Sequence, residues 1–385
     1  MLQIISPSSV YAPDGRLEVS VSFSMDDMAG SFSIVQARDM QDAVMYAFPD
    51  LGMGADVSIM LDGHLAISGQ VDRREGAGDA ESYRITITGR SKTANLVDAS
   101  ATHKTGQWDK VKPTSVVKDI ADPFGISVRI EKPDEETIKR FILRDGETAE
   151  RAIRRVAREF GFVPFGDENG DLVIQEPGAR GTGTAFVLGQ NILSWTASMD
   201  MKLLHDKVIV KGQGVTDDHN YGRPATEVVA AVRDGTVRHH RPLVIPMWGD
   251  ATPDRVRRRA WIEALRRQGE SINVSLVVPG FVDPVRGDLY RPNVRHHVVI
   301  PIDGVDNILV AKSVEFSLTG DQARTTIELV HEQAFSDGKA ASTSKAKGGK
   351  RLAKSSIGGS AQSSDCDARC WRDAYRAVED MELDE

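Results

Sequence analysis

The stretch Leu17-Glu18-Val19-Ser20-Val21-Ser22-Phe23-Ser24 alternates apolar and polar side chains without a break, with every odd position apolar. Only an extended chain, whose side chains point to opposite faces at successive residues, can bury one such face and wet the other. A strand at 17–24 and a sheet with one apolar face follow from it. Val57, Ile59 and Leu61 carry the pattern into Asp62-Gly63, and Leu65, Ile67 and Val71 lead away again. Asp-Gly between two alternating runs predicts a hairpin with a type I′ turn, in which both turn residues need positive φ. Arg84-Ile85-Thr86-Ile87-Thr88 alternates once more, and Gly89 is expected to end that strand. Residues 1–98 are therefore read as a first small antiparallel β domain, barrel-like or a sandwich.

The texture changes after Ser100. Pro113 opens a helix through Ile120 that the Asp122-Pro123 step ends, and Ile126–Ile130 reads as a short strand. Glu147–Phe160 is a better-marked helix, closed by Gly161, with Ala149, Ala152, Ile153, Val156, Ala157 and Phe160 on one side and Arg151, Arg154, Arg155 and Arg158 on the other. Strands at Phe162–Phe165 and Asp171–Gln175 follow, joined through Asn169-Gly170. Residues 99–188 read as a small α+β module.

From Ile192 the chain is β-like again, with strands expected at 207–211, around 226–232, at 272–278, at 308–318 and at 325–330. Thr252-Pro253-Asp254 starts a helix reaching about Gln268. Residues 189–335 thus read as a second barrel-like β domain carrying an inserted segment and helix at about 217–270. A weak internal repeat links the two β regions: Asp62-Gly63, Val71 and Ile85-Thr86-Ile87 have counterparts in Asp303-Gly304, Val314 and Ile327-Glu328-Leu329. Hairpins look alike, so the match leaves duplication open. The chain is expected to be an α+β, β-rich multidomain protein: two similar small antiparallel β-barrel-like domains with an α+β module between them. Residues 336–364 are mostly Ser, Gly, Ala and Lys, a linker without enough apolar surface to order. Residues 365–385 are acidic but place Trp371, Ala374, Tyr375 and Val378 on one helical face, as a tethered docking helix would.

The net charge of -8 argues against a general nucleic-acid binder, which needs a basic excess to neutralise phosphates. No apolar run approaches the roughly 20 residues of a membrane span, and the first residues lack the basic and apolar regions of a leader, so assembly in the cytoplasm is expected. The two cysteines, Cys366 and Cys370, both lie near the C-terminal end, so disulfides do not hold the fold. Gly89-Arg90-Ser91-Lys92-Thr93 has phosphate-binding residue types without the G-x-x-x-x-G-K-[ST] spacing that wraps backbone N–H groups around a phosphate. His239-His240 and His296-His297 are adjacent, and strand neighbours point to opposite faces, so neither pair can share an ion. No G-x-S-x-G, H-E-x-x-H or G-x-G-x-x-G motif occurs. Neither cofactor, metal nor catalytic residues are expected. The arginine face at 151, 154, 155 and 158 is either a solvated face or a surface for an acidic partner. Arg257 and Arg258 lie within about 60° of Trp261 on the helical wheel, which fits an inter-subunit contact or stem packing with the charged heads in water.

Met28-Ala29-Gly30-Ser31-Phe32, then Asp62-Gly63 with Gly69 and Val71, then Ile87-Thr88-Gly89-Arg90-Ser91-Lys92-Thr93-Ala94-Asn95-Leu96-Val97-Asp98, form a series with later marks. The last of these runs on through Ala99-Ser100, and the later marks are Pro123-Phe124-Gly125-Ile126, Asp145-Gly146-Glu147-Thr148-Ala149, Gly189-Gln190-Asn191-Ile192 and Gly287-Asp288-Leu289-Tyr290-Arg291-Pro292-Asn293. The succession, over residues 10–335, resembles the baseplate hub proteins of contractile-tailed phages of the Mu type, the tail protein or late control protein D family. The resemblance implies a non-enzymatic homotrimer in the virion that adapts a hexameric tail tube to a trimeric central spike, in contact with other baseplate components. Each chain would contribute two similar β domains to the ring. The alternatives are a phage-borne cell-wall or carbohydrate hydrolase and a spike-hub protein of a contractile secretion system.

Overall fold

The structure, a computed structural model, describes residues 2–11, 17–39, 48–131, 137–160, 162–213, 227–235, 237–247, 251, 253–335 and 383–384. The first region holds β1 (Leu2–Ile5), β2 (Val10–Tyr11), β3 (Leu17–Ser24), β4 (Ser31–Asp39), β5 (Asp56–Leu61), β6 (His64–Gly78) and β7 (Ser82–Ser91). The alternation at 17–24 does what it dictates: Leu17, Val19, Val21 and Phe23 are all at most 5% exposed. Burying a side chain of this kind contributes about 1.5–3 kcal/mol. Asp62 at φ 48 and Gly63 at φ 83 form the expected hairpin turn between β5 and β6.

Gly89 does not end its strand. β7 runs on to Ser91, and Gly89 pairs with Phe32 on β4 and Val71 on β6. The glycine is there for close approach, because a Cβ at this position would lie 2.1 Å from the Gln70 carbonyl oxygen and 2.4 Å from the Phe32 ring.

The next region holds α1 (Ala94–Asp98), β8 (Gln107–Val111), α2 (Pro113–Ala121), β9 (Val128–Ile130), β10 (Ile138–Ile142), α3 (Ala149–Phe160), β11 (Val163–Gly166) and β12 (Leu172–Gln175). The apolar face of α3 packs on α2 in a core of its own that includes Trp108, Val116, Ile120, Ile153 and Val156. Trp108 donates its ring N–H to Asp119 at 2.8 Å, which satisfies the indole inside that core. The last part holds β13 (Phe186–Val187), β14 (Ser194–Met199), β15 (Lys207–Gln213), β16 (Glu227–Arg233), β17 (Pro242–Met247), α4 (Pro253–Glu270), β18 (Ile272–Pro279), β19 (Val282–Asp283), β20 (Asp288–Leu289), β21 (Arg295–Ile300), β22 (Val305–Thr319), β23 (Gln322–Val330) and β24 (Leu383–Asp384). Strand β15 lies between antiparallel β16 and parallel β17, with α4 packed on this small sheet through Val256 and Ala260, and β24 pairs with β16.

The two large β regions repeat one another. The lateral order β1-β5-β6-β7-β4-β3 in the first has its counterpart in β13-β21-β22-β23-β18-β14 in the second. The chain also visits corresponding strands in the same sequence. Strands β6 and β22 are both 15 residues long and each breaks register once against its following hairpin partner, between Val71 and Arg73 against β7 and between Ala311 and Ser313 against β23. Following the ladders matches Ile85-Thr86-Ile87 to Thr325-Thr326-Ile327, two residues before the counterpart expected from sequence. One difference is that β1 runs antiparallel to β5 while β13 runs parallel to β21.

Among the described residues neither region closes on itself as a barrel. Instead β3 pairs with the second half of β22, and the two regions share a 13-stranded open sheet and one continuous apolar core. The module of α1–α3 lies between them in sequence, and the β15–β17 sheet with α4 is inserted between β14 and β18.

Gly89→Ala is expected to lower unfolding stability by about 1–3 kcal/mol through overpacking against backbone. Chemical denaturation of the two proteins measures it, and an unchanged midpoint would contradict the close-approach account.

Candidate interaction surfaces

The residues that make the sequence distinctive meet at joints of the fold. On adjacent strands, Ser31 pairs with Arg90 and Phe32 with Gly89. The buried Ser91 hydroxyl accepts from the Gly30 N–H at 3.0 Å and lies 2.7 Å from the Thr93 hydroxyl. Arg90 donates to Asp72 at 2.6 Å and to both carboxylate oxygens of Asp98 at 3.1 and 2.6 Å. Its hydrogen bonds hold the Asp98 carboxyl below the usual carboxylate range, since they favour the charged form. The stretch that imitates a phosphate loop is thus a brace between β6, β7 and α1.

A second joint uses the Asp288–Asn293 segment. The Arg291 side chain is only 7% exposed; it donates to the Leu65 carbonyl at 2.8 Å and lies 3.7 Å from Glu168. Asn293, at φ 68, donates to the Gln175 side chain at 2.9 Å and to the Glu176 carbonyl at 3.0 Å, and accepts from the Gly178 N–H. These contacts tie the second β region to β6 and to the end of the α+β module. The turn from Asp167 to Asp171 completes the joint, with the Ser68 N–H donating to the Glu168 carbonyl at 2.8 Å.

A buried polar knot lies beside it. Asp283, fully buried, accepts from the N–H groups of Thr184 at 3.1 Å and Val285 at 2.9 Å. His296 places Nδ1 2.8 Å from the Thr184 carbonyl and packs on Phe186, with ring centroids 4.7 Å apart. Its neighbour His297 points outward to Asp306 at 2.7 Å, as adjacent strand residues must. Burial pushes the Tyr290 hydroxyl up to about 12 and lowers the His296 ring from its ordinary 6.5. The Asp283 carboxylate and the His296 Nδ1 both bond main-chain groups, an arrangement that fixes a loop on β21.

The sequence-derived candidates scatter. On α3, Arg151 is exposed. Arg154 bonds Glu150 at 2.8 Å and the Asp26 carbonyl. Arg155 bonds Glu147 at 2.7 and 3.0 Å and the Ile142 carbonyl at 2.8 Å, and its guanidinium lies 4.1 Å over the Phe141 ring. The side chain of Arg158 lies outside the described residues. Arg257 and Arg258 are exposed on α4, while Trp261 packs on the small sheet. Glu263 is the buried charge of that helix; it lies 3.5, 3.2 and 3.0 Å from Arg259, Arg266 and Arg267. Trp371, Tyr375 and Val378, with the linker before them, lie outside the described residues, as does the expected cap Thr252.

Two sheet edges were not legible as surfaces in the sequence. Strand β14 pairs with β18 on one side and, among the described residues, with no strand on the other. Strand β6 pairs with β5 only as far as Gln70, so Arg73–Gly78 has β7 on one side and no described strand on the other. Leu193, just before β14, and Met199, its last residue, are 56% and 46% exposed. The alternation of Trp195, Ala197 and Met199 was the available signal.

Residues 93–176 match the family model described as "Baseplate hub protein gp44-like, second domain". The chain is 27% identical over 341 residues to the baseplate hub protein gp44 of Escherichia phage Mu, covering 84% of this chain and 87% of that protein. In fold it is similar to the 43 kDa tail protein of prophage MuSo2 from Shewanella oneidensis, with TM-score 0.77 at 24% identity over 87% of this chain and 99% of that one. A component of the E. coli type VI secretion system, c3393, shares the fold more distantly, with TM-score 0.53 at 8% identity over 88% of this chain and 79% of that one. The resemblance to Mu-type hub proteins is borne out: the chain is similar to the baseplate hub protein gp44 along most of its length, and its second region matches the gp44-like second domain.

Stability is expected to fall as pH drops below 6.5. The unfolded His296 takes a proton there, whereas the buried ring, with lowered affinity, resists it; His331 is lowered by burial in the same sense. The His296 contribution between pH 7 and 5.5 is up to about 1 kcal/mol. Denaturation at the two pH values measures it: His296→Leu should narrow the difference, and an equal difference in both proteins would contradict the burial argument.

Proposed function

We propose that this hub-like chain assembles as a homotrimeric ring at the distal end of a contractile tail and joins the hexameric tail tube to the trimeric central spike. The doubled six-strand unit carries the reading. Three copies present six similar β units to a six-fold tube, while the whole chains repeat three times towards a three-fold spike. A ring of this kind works by geometry: cyclic closure matches the two symmetries, and neighbouring subunits cover sheet edges that would otherwise invite aggregation. Its partners are the tube protein, the spike protein and other baseplate components, and its place is the virion after assembly in the host cytoplasm.

The function is structural rather than enzymatic. In support, Asp283 and His296 contact main-chain groups, and the arginines Arg90, Arg155 and Arg291 bond groups of the chain itself. The exposed Arg151, Arg257, Arg258 and the α4 residue Trp261 are proposed to meet neighbouring subunits or baseplate proteins, with Arg154, Arg155 and Arg158 beside them on α3. Trp371, Tyr375 and Val378 are proposed to dock on another tail component. The fold likeness to c3393 supports a second reading, a hub in a secretion spike.

The purified chain is expected to sediment as a trimer of 42.0 kDa subunits and to leave a peptidoglycan suspension turbid. A monomer that clears cell walls would overturn the structural reading in favour of a lytic enzyme.

A further inference from the structure

The chain contains one worked example of how its β units join. Within the chain, β3 lies antiparallel against the second half of β22, from Ser313 opposite Ser24 to Thr319 opposite Glu18. In the repeat, the strand that corresponds to β3 is β14, and the strand that corresponds to β22 is β6. The ladders make this residue-specific. Through β7 and β23, Arg73–Gly78 takes the place of Ser313–Leu318; through β4 and β18, Ser194–Met199 takes the place of Glu18–Phe23. Both of these corresponding edges lack a strand partner among the described residues. One joint is therefore made, and the two halves of a second, equivalent joint stand open at opposite ends of the repeat.

Burial gives an independent sign of the missing cover. Leu17 and Phe23, at the two ends of the made joint, are 2% and 5% exposed. Their counterparts Leu193 and Met199 are 56% and 46% exposed. The residue types are kept apolar although the chain itself leaves them in water.

We propose that β14 of one chain pairs antiparallel with Arg73–Gly78 on β6 of the next copy, so that the joint between subunits repeats the joint inside each subunit. The register of the internal joint carries over and sets Glu75 opposite Ser198, Ala77 opposite Thr196 and Arg73 opposite Asp200. Arg73 and Asp200 bring opposite charges together. Gly78 falls opposite Trp195, leaving room for an indole where the internal joint has Leu318 opposite Val19. The contact is head-to-tail, and cyclic closure leaves neither edge exposed. The proposal rests on the ring reading above for the number of copies; the edge pairing is drawn from the repeat alone.

Glu75 and Ser198 are both exposed, so replacing them does not disturb a core. In full-length protein with Cys366→Ser and Cys370→Ser, the pair Glu75→Cys with Ser198→Cys should cross-link on mild oxidation into reductant-sensitive dimers and closed rings. Each single variant should give no ladder. The out-of-register pair Arg73→Cys with Thr196→Cys should give at least tenfold less product. If the protein sediments as a trimer but the in-register pair fails to cross-link, or the out-of-register pair does as well, the edge pairing is wrong and the ring reading stands. A monomer in sedimentation overturns both. Hydrogen exchange on the unsubstituted chain is a second measure: amides at 73–78 and 194–199 should lose protection on dilution to monomer, and unchanged protection overturns the pairing.

Discussion

The antiparallel contact between β3 and the second half of β22 is the interaction on which the rest of the architecture depends. Through it 13 strands share one sheet and one apolar core; the other direct ties between the two β units include side-chain joints such as Arg291 on the Leu65 carbonyl. β22 can serve both units because it changes partner along its length. Its residues 305–310 pair with β21, and its residues 313–319 pair with β3 on the same edge. The register break between Ala311 and Ser313 lies at the changeover, where an extra residue bends a strand and increases its twist.

Charged groups hold the parts in register at low solvent exposure. The chain is acidic overall, yet its arginines brace the joints: Arg90 between β6, β7 and α1, Arg154 between α3 and the β3–β4 turn, Arg291 between β6 and the 288–293 segment. A guanidinium suits this use because its planar fork donates several bonds at fixed angles while its stem packs on apolar neighbours. Once such a cation is buried, removal of a partner leaves an uncompensated charge, so these joints resist change. Stretches 28–32, 89–98 and 287–293 meet at these joints.

Periodicity made the half-buried elements legible. Residues 17–24, the Asp62-Gly63 turn and α3 were readable because one face of each is dry and the other wet. The β-rich class followed from them, whereas the Mu-type resemblance rests on the succession of short motifs between Met28 and Asn293. What stayed hidden was non-local. Gly89 looks like a stop signal in one dimension, and only the ring of Phe32 and the carbonyl of Gln70 explain why a glycine sits inside a strand. The shared sheet was equally invisible, since β3 and β22 are almost 300 residues apart in sequence. On α3, four arginines read as one face, but the partners of Arg154 and Arg155 come partly from Asp26 and Ile142 outside the helix. The alternation of Trp195, Ala197 and Met199 marks β14 as a strand, but pairing on one side or both is decided by residues far away in sequence.

The central claim is that a repeated β unit, joined to itself once within the chain, builds a closed ring whose six units serve two symmetries. Electron microscopy of the purified protein tests this most directly. The account predicts three-fold particles in which six similar lobes surround a central opening. Two-fold dimers, open filaments or a ring with another number of lobes would contradict it.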